Sequence, residues 1–138
     1  MSLLRNYNED DLLAKTLLLY FAFQHGSIGL FLVFEDLTIL KSKTIAGMSS
    51  ILPMEAWGII LLVSSASFLL SVLQENKLEY WFMLLAGTTG VITFSLLSMA
   101  SMELSTNQTN TVNYMIIASI DIIVAIIGGV ALWRRRTT

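Results

Sequence analysis

The chain has 138 residues, 55% of them hydrophobic and only 13% charged, with a formal net charge of −2 and no cysteine. Soluble domains are roughly 25% charged, so a mean hydropathy of +0.72 means that most of this surface is not built for water. The acidic balance argues against a nucleic-acid binder, the lack of cysteine removes disulfides and thiolate chemistry, and the length allows a single membrane domain, 1–138.

The N-terminus, MSLLRNYNEDDLLAK, is not expected to be a signal peptide, because Glu9, Asp10 and Asp11 stand where positive charge belongs. A first span is predicted over 12–34. Asp10 or Asp11 suits its N-cap, and the Lys15 stem can snorkel to the interface. The middle of this span, Phe23-Gln24-His25-Gly26, is unusually polar for a lipid-facing segment, and Glu35 and Asp36 mark its exit.

The connector 35–53 is too short and too polar to cross, with a short interfacial helix expected around 37–45. Pro53, the only proline, opens the second span, 54–73; its missing N–H costs nothing in a first turn. Gln74-Glu75-Asn76-Lys77 reads as a tight turn, which makes the second and third spans antiparallel neighbours. The third span, 78–102, begins with Tyr80-Trp81, and the polar stretch 103–110 leads into the fourth, 112–133. That last segment is almost continuously apolar, carries Asp121 in its middle, and ends in Trp133-Arg134-Arg135-Arg136. About 20 apolar residues match the hydrocarbon thickness of a bilayer. The expected fold is therefore an all-α integral membrane protein, a four-transmembrane-helix antiparallel bundle.

Lysine and arginine near helix ends set orientation. Arg5, Lys15, Lys77, Arg134, Arg135 and Arg136 fall on one side against Lys41 and Lys43 on the other, so both termini are expected in the cytoplasm. Trp57, Trp81 and Trp133 then serve as interface anchors together with the arginine cluster, and Tyr80 and Tyr114 join the same belt. Asn107-Gln108-Thr109 reads as a glycosylation sequon on the outer side, a tripeptide common by chance.

Counted from the cytoplasmic ends at 1.5 Å per residue, His25, Ser64, Thr88, Thr89 and Asp121 all lie roughly 15–18 Å deep, near mid-bilayer. Gln24 joins this polar layer. Asp121 shares a helical face with Ala118, Ala125 and Gly128, and His25 shares one with Ala22, Gly26 and Gly29. Ser64, Ser67 and Ser71 lie together, as do Gly87, Gly90 and Thr93. Small residues let membrane helices approach closely, so these are predicted packing faces.

A carboxylate at mid-bilayer costs at least about 2.5–3.5 kcal/mol, so Asp121 is expected to face His25 directly or through Gln24, Ser64 or Thr89. Three uses of this layer stand open. It is glue that fixes helix register, it moves protons or ions or lines a hydrophilic lesion, or Asp121 is simply protonated against a carbonyl or water.

One histidine and one buried acid fall short of the ligands zinc wants, and no nucleophile or phosphate-loop motif is present. No cofactor and no enzymatic activity are expected. The Gly128-Gly129 pair is expected to serve packing rather than ligand binding.

The acidic N-terminus, Leu52-Pro53-Met54-Glu55-Ala56-Trp57-Gly58 at the second span, Tyr80-Trp81 at the third, and Ile120-Asp121-Ile122 running to the three arginines form a layout. It resembles small four-helix membrane proteins of bacteriophages of Gram-positive hosts, some of them holins or holin-like. The resemblance covers most of the chain and carries over no site residue. It implies accumulation in the host inner membrane, homo-oligomerisation, and sudden formation of a lesion that admits an endolysin. Two other functions fit the same residues: a small proton-coupled transporter using Asp121 and His25, and an accessory subunit of a larger membrane complex. The partners expected are the lipid bilayer, further copies of the chain and other membrane subunits, with no nucleic acid.

Overall fold

The computed structural model describes residues 9–34, 43–104 and 108–135. These residues form five helices: α1 (Glu9–Phe34), α2 (Lys43–Ser49), α3 (Met54–Leu73), α4 (Lys77–Leu104) and α5 (Gln108–Arg134). α1, α3, α4 and α5 are long and apolar enough to cross a membrane. The 20 residues of α3 extend about 30 Å, the thickness of a hydrocarbon core. α1, α4 and α5 run past the apolar edges that set the predicted spans, because a helical ladder satisfies its own backbone whether or not the side chains are apolar.

The described part of the connector holds a short helix at Lys43–Ser49; of the stretch expected to be helical, 37–42 lies outside the described residues, as do Glu35 and Asp36. Its position follows from packing. Met48 is buried and Ile45 packs beside it on the core, and these two, three residues apart, share a face. α3 then starts as predicted by proline: the Pro53 carbonyl accepts from Ala56 N–H at 3.0 Å and Trp57 N–H at 3.3 Å. The extended Gln74 ends α3, its N–H still donating to the Leu70 carbonyl, and the Asn76 carbonyl accepts from Glu79 N–H at the start of α4.

α4 packs most extensively on α5, α1 on α3, and α3 on α4; α2 lies against α4 and, more lightly, α3. Glycine makes the closest of these approaches possible. A Cβ at Gly29 would sit 2.9 Å from the Gly58 carbonyl oxygen, and one at Gly58 would sit 2.8 Å from that of Gly29. Between α4 and α5, a Cβ on Gly87 would come within 2.7 Å of the Asp121 carbonyl oxygen. In lipid the driving force between helices is close van der Waals contact rather than hydrophobic burial, so these backbone approaches hold the helices together.

The interior has two apolar clusters. Trp57, Leu61, Phe94, Ala118 and their neighbours form one; Ala22, Phe68, Ala86, Val124 and theirs form the other. On each long helix a polar or small residue separates the two: His25, Ser64, Gly90 and Asp121. The outer surface is hydrocarbon, with Phe23 and Phe34 about four-fifths exposed beside many open leucines and isoleucines. An exposed apolar surface of that extent fits a protein that lives in lipid.

Trp57 departs from the predicted belt. It is 3% exposed, and its Nε1 donates to the Met48 carbonyl at 3.2 Å. α2 covers the ring and supplies the acceptor that an interfacial tryptophan finds in headgroups or water. Trp81 and Trp133 remain open, and both line a small groove with Leu84, Gly129 and Leu132.

Candidate functional site

Asp121 and His25 meet in the centre of the helices. His25 Nε2 lies 3.4 Å from Asp121 Oδ2, and both side chains are 0% exposed. The fourth helix of the row thus reaches the first across a gap floored by Gly90. A Cβ on Gly90 would overlap the Asp121 carboxylate and crowd His25 Cε1, so only glycine leaves room for the pair.

On the other side of the imidazole, Nδ1 lies 2.8 Å from Ser64 Oγ. Ser64 donates its single proton to the Ala86 carbonyl at 3.0 Å. A hydroxyl that has donated can only accept, so Nδ1 carries a hydrogen and donates to Ser64. This fixes the tautomer and leaves Nε2 facing the acid. Nε2 and Oδ2 thus face each other as the two sides of one buried acid–base contact. At 3.4 Å the contact is longer than a formed hydrogen bond, and neither Asp121 oxygen has a hydrogen-bond partner within the protein.

Two phenylalanines hold the imidazole in place. Phe68 stands edge-on at 5.2 Å and Phe94 tilted at 5.0 Å between centroids. Ser65 adds a second strap, donating to the Ala22 carbonyl at 2.6 Å, and a Cβ on Gly26 would come 2.8 Å from its Oγ. Ser64, His25 and Asp121 are the residue types of a catalytic triad. Here the Ser64 proton is engaged by a carbonyl and the hydroxyl is fully buried.

The polar layer is narrower than depth alone predicts. Thr88 is exposed and donates to the Leu84 carbonyl of its own helix at 2.6 Å; it faces outward, a correction to its assignment. Thr89 is half-buried and likewise turns back, to the Leu85 and Ala86 carbonyls. Gln24 is half-buried, with a buried Oε1 that has no partner. Neither residue bridges His25 and Asp121. Of the packing residues, Ala125 meets Gly87, and Gly128 lies against the Tyr80 carbonyl, where a Cβ would come within 2.8 Å.

At the end of the molecule that holds Trp81 and Trp133, the Arg135 guanidinium sits 4.8 Å above the Tyr80 ring and Lys15 reaches Glu75 at 3.9 Å. Arg134 is exposed. Arg5, Arg136 and Asn107, and the side chains of Asp10, Gln108 and Thr109, lie outside the described residues.

Sequence reasoning missed Gly58, Ser65, Phe68 and Phe94. Gly58 and Ser65 are seven residues apart, two turns on one face of α3, and that spacing was a usable signal. The phenylalanines gave none, since any apolar side chain reads the same in an apolar span.

Comparison with known proteins returns no matching family, no similar curated protein and no similar solved structure.

Proposed function

We propose that this chain is an integral protein of the bacterial cytoplasmic membrane, crossing it as an antiparallel four-helix bundle with both termini in the cytoplasm. It acts there as a holin-like, non-enzymatic protein that oligomerises and permeabilises the membrane for host lysis.

The observation that carries this reading is the sealed polar chain Asp121–His25–Ser64 inside an apolar sleeve. A permeabilising protein must insert harmlessly and later present a hydrophilic wall. Here α1 packs on α3 and α4 on α5, the halves join through α3 and α4, and α1 and α5 share no extensive backbone contact. His25 and Asp121 close that open side. Parting the latch turns their polar groups toward a shared lumen, and glycine faces suit contacts between copies.

Inducible expression in a bacterium, with and without an endolysin, tests the reading. Abrupt lysis with the endolysin supports it. Slow toxicity in both arms, or no effect alone, would instead fit a transporter or an accessory subunit. Asp121→Asn and His25→Ala should shift lysis timing; normal timing in both removes the latch from the mechanism.

The unpartnered Asp121 oxygens favour a second reading, a small proton-coupled transporter in which a proton is the coupling ion. It requires an essential Asp121 and pH-dependent substrate uptake.

A further inference from the structure

A groove of about 470 Å³ opens beside the α2 end of the molecule, between α1 and α5. Most of its wall is apolar, from Ile28, Phe31, Leu32, Ile45, Met54 and Leu97, with polar groups set into it. Ser27, Thr44, Ser101, Asn110 and Tyr114 contribute polar groups from four different helices. The groove between α1 and α3 shares Ser27 and reaches Ser65, whose hydroxyl is already bonded to the Ala22 carbonyl; the rest of its wall is apolar, with Leu19, Phe23, Leu30 and Leu69. The first groove is large enough to hold water, and the polar side chains set into its wall offer the two to four partners that each water needs.

The groove also points at the buried pair. Ile28, a lining residue, is three residues past His25 on α1, and Leu97, another, is one turn past Phe94 on α4. Tyr114 lines the groove, its ring 6.2 Å from that of Phe94, and Phe94 in turn lies 5.0 Å from His25. Phe94 itself is 0% exposed. Groove, Tyr114, Phe94 and His25 thus form one file, ending at an acid whose oxygens have no partner in the protein.

We propose that this groove is a water-filled vestibule to the Asp121–His25 pair and that the Phe94 ring is the plug between them. Water held there stops one aromatic ring short of the imidazole. Rotation or removal of that ring lets water hydrate the carboxyl, which replaces the partners the interior withholds. The inference rests on the chain spanning a membrane, but on neither use of the pair; access is measured apart from lysis, so the two fail separately.

The chain has no cysteine, so single cysteines report access directly. A thiol reacts with a charged methanethiosulfonate reagent only where water supports the thiolate. The protein is placed in lipid nanodiscs, where both faces meet the reagent. Ile28→Cys and Leu97→Cys, which line this groove alone, should label, while Leu69→Cys in the apolar groove and Ser64→Cys beyond His25 should not. Adding Phe94→Ala, or the milder Phe94→Val, should turn Ser64→Cys from unlabelled to labelled in protein that elutes like the parent. Three results each overturn the proposal: Ile28→Cys and Leu97→Cys both inert, which means a lipid-filled groove; Ser64→Cys labelled with Phe94 in place; or Ser64→Cys still inert in a folded Phe94 variant.

Discussion

A methyl group at Gly90 would overlap the Asp121 carboxylate, so the contact between α1 and α5 depends on one missing Cβ. Gly90→Ala should destabilise the protein by about 1–3 kcal/mol, the usual range for overpacking, read from unfolding in detergent micelles. Gly129→Ala is the control: its nearest neighbour would be Leu84 Cδ1 at 3.8 Å, ordinary contact, and its stability should be unchanged or slightly raised. Asp121 allows a second comparison. Asp121→Ala strands His25 Nε2 and should cost about 1–3 kcal/mol. Asp121→Asn keeps the shape and can donate an amide hydrogen to that nitrogen, so it should cost less than the alanine variant in the same assay. His25 and Asp121 were legible in the sequence because helix rise converts residue number into depth. Rotation about the helix axis was not legible for Thr88 and Thr89. A threonine in a helix can satisfy its hydroxyl on the carbonyl four residues back, so its polarity does not reveal which way it faces.

At the scale of elements, the four long helices follow from runs of apolar residues matched to bilayer thickness, and Pro53 sets the start of α3. Trp57 did not follow, because a tryptophan at a helix start reads as an interface anchor whether or not something covers it. What covers it is α2, seven residues whose apolar face is too short to show a period. The Trp57 indole bond to the Met48 carbonyl ties the connector to α3. Trp57→Phe should cost about 0.5–1.5 kcal/mol and speed proteolytic cleavage within 43–49. Fluorescence offers an independent check. With the other tryptophans changed to phenylalanine, Trp57 should be blue-shifted and shielded from a soluble quencher, whereas Trp133, 71% exposed, should not share that shielding. The contact of Gly29 with Gly58 belongs to this scale as well. Replacing either with leucine should part α1 from α3 and abolish the folded species in detergent.

For the whole molecule, the layout implies two halves, α1 with α3 and α4 with α5, hinged along α3 and α4 and latched by one buried acid–base pair. Within each half, glycine brings the two backbones into close approach. In the closed chain each hydrogen on Ser64 and His25 Nδ1 has an acceptor, and Asp121 is the member left short of hydrogen bonds. If the latch governs permeabilisation, Asp121→Asn and His25→Ala should each change the time of onset of lysis with an endolysin present, while a control such as Gly129→Ala should leave it unchanged. The most direct test of the central claim uses the fact that the chain contains a single histidine. Solid-state NMR of the protein in lipid bilayers, with ¹⁵N on His25 and ¹³C on the Asp121 carboxyl, measures their separation. Strong dipolar dephasing between Nε2 and Cγ, matching the 3.4 Å contact of Nε2 with Oδ2, is the expected result. Absence of dephasing, with magnetisation reaching the Asp121 carboxyl from acyl-chain protons instead, would contradict it.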